Sequence, residues 1–251
     1  MDVAAYLARI GYRGPTGPTA ETLRQIHRAH MLSVPFENLD IGLGRRITLD
    51  PDAFVRKIVE ERRGGFCYEL NGAFATLLEA LGFKVTLLSA RVPRADGSET
   101  PEFDHLTLRV DLEEPWLADV GFGDFILEPL RLQVGLEQSQ EAGRFRIEER
   151  GNDLLVQKGQ GKEWIEQYRF TLMPYCLADF AAMCDFHQTS PESPFTRKSI
   201  CSLATADGRI TLADRKLIET RNGTRQERIL ESDTERKRLL REIFGVALDA
   251  G

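Results

Sequence analysis

The spacing of the apolar residues changes at Gly82, and this constrains the fold more than any other feature of the chain. Before Gly82 the spacing is helical: Leu23, Ile26, His27 and His30 share one face, then Phe54, Ile58 and Val59, then Leu70, Phe74, Leu77, Leu78 and Leu81. After it the residues alternate, with Val85, Leu87 and Ser89 set against Thr86, Leu88 and Ala90, and Leu106, Leu108 and Val110 against Thr107, Arg109 and Asp111. A period of about 3.6 buries one stripe of a helix, and a period of 2 buries one face of a strand. The chain therefore has to join a helical part to a sheet.

Start and stop signals sharpen this division. Thr19 is placed to cap a helix that ends before Val34-Pro35, because a residue preceding proline avoids helical geometry. Asp50 and Pro51 open a second helix that Gly64-Gly65 breaks, and a third runs from Cys67 to Gly82. A short apolar run at 116–120 and a meander over 145–172 follow, with turns at Gly151-Asn152-Asp153 and Gly159-Gln160-Gly161. One helix is expected over 177–186. Beyond the Ser190–Pro194 stretch, Asp207-Gly208 and Asn222-Gly223 mark hairpins, and a helix from about Asp233 closes the chain at Gly245. There is no internal repeat and no long linker, so the parts are expected to pack as one body.

Charge and composition narrow the function. Lys plus Arg number 33 against 39 Asp plus Glu, a net −6 that disfavours a phosphate backbone or an anionic membrane as partner. Neither a signal peptide nor a membrane-spanning run stands out, so a cytoplasmic protein is expected. Four cysteines in 251 residues are too sparse for a disulfide scaffold and are expected to be reduced.

Those cysteines stand in different contexts. Cys67 follows Arg62-Arg63-Gly64-Gly65-Phe66 and opens a helix, where free N–H groups and the helix dipole favour a thiolate. The two glycines suit a turn that approaches a ligand and aims N–H groups at an oxyanion. A nucleophile needs a base, and the base needs an orienting acid; His105 at the start of one strand and Asp119 at the end of another supply them. Cys176, Cys184 and Cys201 sit among apolar residues and read as buried thiols. His27 and His30 read as core histidines, Cys184 with His187 as at most half a zinc site, and no metal is expected. The basic pairs, Arg56-Lys57 among them, read as solvated faces.

The segment Arg63-Gly64-Gly65-Phe66-Cys67-Tyr68-Glu69-Leu70-Asn71 resembles the active-cysteine motif of the arylamine N-acetyltransferases, and Val34-Pro35-Phe36-Glu37-Asn38-Leu39 resembles their N-terminal motif. His105-Leu106, Asp119-Val120-Gly121-Phe122-Gly123, Ser193-Pro194-Phe195-Thr196 and Phe244-Gly245-Val246 continue the match in order along almost the whole chain. The resemblance implies an α+β fold: a helical bundle at 1–84 carrying the cysteine, a central antiparallel β-barrel at 85–189 carrying the histidine and acid, and an α/β lid at 190–251. It implies a triad of Cys67, His105 and Asp119 that takes an acetyl group from acetyl-CoA and passes it to an arylamine, hydrazine or N-hydroxyarylamine. It further implies an aromatic pocket of Phe36, Phe66, Tyr68 and Phe122, and coenzyme A contacts at Gly121, Gly123, Ser193, Phe195 and Thr196. No tightly bound cofactor is expected, and the protein is expected to be a monomer or homodimer. Arg63 is expected to brace the turn through Glu37.

The order Cys, His, Asp also suits a cysteine hydrolase or an amide synthase. A non-catalytic thiol-bearing or zinc-binding module is the reading from outside the enzymes.

Overall fold

The structure is a computed structural model that describes residues 1–248. α1 (Val3–Arg9) begins where the Asp2 carboxylate accepts the Ala5 N–H, and α2 (Ala20–Ser33) where the Thr19 hydroxyl oxygen accepts the Thr22 N–H. A two-residue strand, β1 (Phe36–Glu37), and a single turn, α3 (Leu39–Gly42), follow. α4 (Pro51–Val59) starts at Asp50 with proline in its first turn. α5 (Cys67–Ala80) lacks a polar cap, and Glu69 instead reaches back to accept the Phe66 N–H at 3.2 Å. Leu70, Phe74, Leu77 and Leu78 of α5 are wholly buried, so the helix with the candidate nucleophile is the centre of this part.

Gly64 and Gly65 are needed because other parts of the chain crowd them. A Cβ on Gly64 would lie 1.8 Å from the Pro35 carbonyl oxygen, and one on Gly65 2.6 Å from Glu69 Cβ. Pro35 and Glu69 are the parts of the chain that make this close approach.

Eight strands form the second part: β2 (Lys84–Arg91), β3 (His105–Asp111), β4 (Pro115–Ala118), β5 (Leu130–Arg131), β6 (Gln138–Gln140), β7 (Gly143–Arg150), β8 (Asp153–Gln160) and β9 (Glu163–Phe170). They pair antiparallel in the order β5-β4-β3-β2-β9-β8-β7-β6. The β7–β8 and β8–β9 turns place Gly151 and Gly161 at φ 64° and 61°, where glycine pays no steric penalty. The outer strands then meet through side chains. Gln138 accepts the Arg131 N–H at 2.8 Å and donates to its carbonyl at 3.1 Å, while Gln140 does the same for the backbone of residues 127–128. These amides substitute for a missing strand ladder, so the sheet curls into a nearly closed barrel around Leu88, Leu117, Phe125, Phe145, Ile147 and Tyr168.

A 3₁₀ turn at Leu177–Phe180 leads into α6 (Ala181–Thr189) and α7 (Pro194–Arg197). Then come β10 (Ile200–Thr205), β11 (Gly208–Ala213), β12 (Lys216–Arg221), β13 (Thr224–Ile229) and α8 (Asp233–Phe244), which ends at left-handed Gly245. This sheet runs β1-β10-β11-β12-β13, with Phe36 opposite Ser202 and Glu37 opposite Cys201. A strand of the helical part thus completes the sheet of the last part, across the division expected at residue 190. Asn38 fastens the junction: its Nδ2 donates to the Phe195 and Lys198 carbonyls, and its Oδ1 accepts the Ile200 N–H. Leu239, Leu240 and Phe244 of α8 pack on Leu212 and Leu217. Cys184 and Cys201 are buried as expected, but Cys176 is exposed, because it lies in the loop that precedes the 3₁₀ turn. Residues 249–251 of the expected lid lie outside the described residues.

Candidate active site

Cys67, His105 and Asp119 come together where α5 meets the barrel. Cys67 is the first residue of α5, 4 % exposed, with Sγ 3.9 Å from the Asp104 carbonyl oxygen, one residue before His105. His105 Nε2 lies 2.6 Å from Asp119 Oδ2, and both side chains are buried. Asn71, one turn beyond Cys67, locks the two elements together. Its Nδ2 donates to the Leu106 carbonyl at 2.6 Å and to Asp119 Oδ1 at 3.0 Å, and its Oδ1 accepts the Val120 N–H at 2.9 Å. The Gly121 N–H also donates to Asp119 Oδ1. Phe122 and Tyr168 flank the His105 ring, with centroids 5.0 and 5.2 Å away.

The electrostatics follow from burial and partners. Burial pushes the Asp119 carboxyl up, but His105, Asn71 and the Gly121 N–H more than offset it, so the group stays below its ordinary value and ionised. Burial pushes the Cys67 thiol well above its ordinary range, and a hydrogen bond from the Leu106 backbone opposes this only in part. The thiolate that the helix N-terminus was expected to favour is thus costly alone. A thiolate paired with a neighbouring imidazolium carries no net charge and escapes most of that cost.

A family model described as N-acetyltransferase matches residues 19–251. The arylamine N-acetyltransferase pineal gland isozyme NAT-3 of Gallus gallus is 37% identical over 278 residues, covering 99% of this chain and 95% of that relative. The chain belongs to the arylamine N-acetyltransferase family. The arylamine N-acetyltransferase / N-hydroxyarylamine O-acetyltransferase of Salmonella typhimurium is 34% identical over 98% of the chain and 89% of that protein. The structure of the Mycobacterium marinum arylamine N-acetyltransferase in complex with CoA superposes with a TM-score of 0.92 at 33% identity, covering 98% of this chain and 93% of that one.

In this enzyme the four expected pocket aromatics fall into two pairs. Phe66 and Tyr68 are wholly buried and stack edge to face at 4.9 Å, and the Tyr68 hydroxyl donates to the Phe103 carbonyl. Phe36 and Phe122 are half-buried. Of the expected coenzyme A contacts, Ser193 is wholly buried, its hydroxyl engaged with the Phe195 N–H, His187 Nδ1 and the His187 carbonyl. Thr196 donates to the Ser190 and Ser193 carbonyls. Both hydroxyls are used up by bonds to residues 187–195, and of the motif Phe195 and Pro194 are the members that line open space. Phe195 lines a cavity of about 530 Å³ together with Val92, Arg94, Asp104, Phe186, His187 and Arg197.

Gly123, at φ 87°, has open space where a side chain would stand, whereas Gly121 is pressed against Cys67 and Asn71. Beneath the glycine turn Arg63 bonds Glu37 and Asp40, as expected for Glu37. Lys57 bonds Asp40 and Glu69, each at 2.7 Å. Lys57 was expected on a solvated face and is instead 7 % exposed, because two carboxylates from other segments reach it. Burial raises Glu69 to about 7 against the pull of Lys57. Among the described residues no group of three or more His, Cys, Asp or Glu side chains is arranged to hold a metal. Asn71 and His27 contact the acid or its backbone without having been singled out as functional. Asn71 sits inside the cysteine motif, one helical turn from Cys67, which is the available signal.

Proposed function

We propose that this acetyltransferase carries the acetyl group on Cys67 in a ping-pong sequence, with His105 as proton carrier and Asp119 as its orienting acid. The observation that carries this reading is the buried His105–Asp119 pair beside Cys67, held by Asn71 to the helix that starts with the cysteine. His105 commits Nε2 to Asp119, which leaves Nδ1 to take the thiol proton. The Cys67 thiolate attacks the thioester carbonyl of acetyl-CoA. A new S–C bond forms, the bond to the coenzyme sulfur breaks, and the leaving thiolate takes the proton from His105. The nitrogen of an arylamine, hydrazine or N-hydroxyarylamine then attacks the acetyl carbon. Its C–N bond forms as the Cys67 thiolate departs, and the nitrogen's proton passes to His105.

Exchange between two thioesters is nearly balanced in energy, so placement and thiolate formation are the main demands on the protein. The cavity beside Asp104 suits both cosubstrates. Phe195 and Phe186 provide apolar walls for an aromatic amine, and Arg94 and Arg197 provide cations for the phosphates of coenzyme A.

Intact-mass measurement after mixing with acetyl-CoA tests the reading. A single acetyl adduct should form, disappear on addition of an arylamine, and be absent from Cys67→Ala. An adduct that survives in that variant refutes the assignment. Among the described residues no helix is long and apolar enough to cross a membrane.

A further inference from the structure

His27 has no part in the proton transfers above, yet it is wholly buried next to the acid. Its Nδ1 lies 2.8 Å from the Leu127 carbonyl oxygen, and its Nε2 lies 3.1 Å from the Asp119 backbone N–H. A carbonyl only accepts and a backbone N–H only donates, so the proton belongs on Nδ1 and the lone pair on Nε2. The ring is neutral in a single tautomer. Burial lowers its pKa to about 4, against the upward pull of Leu127 and Asp119, so it stays neutral across the working range. The titratable groups around it are Asp119 and Glu128 on the loop side and His30, which burial keeps neutral, on its own helix, while α5 presents the uncharged Phe74.

These two bonds bracket residues 119–127. That loop carries the acid at its start, then Gly121, then Phe122, whose ring lies on His105. The edge of His27 stands on Phe74 of α5 at 5.7 Å, so one ring touches both the acid's loop and the nucleophile's helix. The Asp119 carboxylate is held by His105, Asn71 and the Gly121 N–H and also meets the Tyr168 hydroxyl, and its backbone N–H is a separate handle on its position.

We infer that His27 is a positioning residue for the transfer reaction: by accepting the Asp119 N–H it fixes the main chain of the acid, keeps the Asp119–His105 bond short, and so sets how readily Cys67 loses its proton. This rests on the reading of Cys67, His105 and Asp119 as the reacting groups. Without the acceptor, the Asp119 N–H is an orphan donor in the protein interior, and the loop turns to satisfy it. The carboxylate moves with the loop, and its bond to His105 lengthens. The imidazolium that balances the thiolate loses support.

Two isosteres separate the two bonds. In His27→Gln the side-chain oxygen occupies the Nε2 position and accepts the Asp119 N–H, whereas in His27→Asn the amide nitrogen occupies the Nδ1 position and serves only Leu127. His27→Phe removes both. Alkylation of Cys67 by iodoacetamide is followed across pH by mass spectrometry of the Cys67 peptide, alongside acetyl-transfer kinetics and melting temperature. The Asn and Phe variants should raise the midpoint of the alkylation profile by about one pH unit, lower kcat about tenfold to a hundredfold and change KM by about threefold at most. The Gln variant should keep the wild-type midpoint.

If the Asn variant melts lower but keeps the wild-type profile and kcat, His27 is merely structural and the inference falls. It also falls if Gln shifts the profile as far as Asn does. Should the Phe variant not fold, the Gln and Asn comparison decides. If the wild-type profile is that of an ordinary thiol, the triad reading fails first, which is a distinct result.

Discussion

Gly121→Ala places one methyl group against Cys67. The new Cβ would lie 2.8 Å from Cys67 Cα, 2.8 Å from Asn71 Nδ2 and 3.1 Å from the Cys67 carbonyl oxygen. Ordinary contact begins near 3.4 Å, so something must move by about 0.6 Å. Neither neighbour moves freely: one is helix backbone, and the other is an amide that bonds Leu106 and Asp119. Overpacking of this kind costs about 1–3 kcal/mol, and at roughly 2–4 °C per kcal/mol for a chain of this size the variant should melt several degrees lower. Function should suffer more than stability. A misplacement of about 1 Å costs roughly a hundredfold in rate, so a shift of about 0.6 Å should slow acetylation of Cys67 at least about tenfold. Quenched-flow mixing with acetyl-CoA, read by intact mass, measures that step without an acceptor. Acetylation at the wild-type rate would show that the contact does not hold the cysteine in place.

The remaining predictions concern the groups around the site. Asn71→Asp puts a second carboxylate beside Asp119 and removes the donor to Leu106, so kcat should fall roughly a hundredfold or more; activity within about twofold of wild type would contradict the role given to that amide. Glu69, raised from 4.5 to about 7, contributes stability that is fully present below its unfolded value and lost as pH rises through its folded value. Wild type should therefore lose about 3 kcal/mol relative to Glu69→Gln between pH 4.5 and pH 8, and urea melts whose difference does not change with pH would refute this. Arg197→Glu should raise KM for acetyl-CoA about tenfold and leave the melting temperature nearly unchanged; an unaltered KM would move the coenzyme out of that cavity.

Local rules in the sequence revealed much of this architecture. Thr19 and Asp50 cap helices where expected, Gly151 and Gly161 turn the strands, and Cys67, His105 and Asp119 lie where α5 meets β3 and β4. What escaped notice depends on partners distant in sequence. A strand of two residues has no period to detect, so the pairing of Phe36 with Ser202 was invisible. Lys57 looks solvated beside Arg56 until Asp40 and Glu69 are seen to enclose it. The hairpin between β11 and β12 turns at Asp214, a non-glycine residue at φ 51°, and lacks the Gly signal that marked the other two hairpins of that sheet. His27 shows only its apolar face in the helical pattern, whereas its function lies in which backbone atoms its two nitrogens meet.

The hydrogen bond from Asn38 to the Lys198 carbonyl has a consequence in time. Its partners are 160 residues apart, so at about 5–20 residues per second the ribosome adds the second roughly 8–30 s after the first. Throughout that interval the motif beside the nucleophile is without its neighbouring strand, and the apolar edge that β10 will cover is open to other chains. The contact between Asn38 and this strand therefore cannot form before residue 198 has been added.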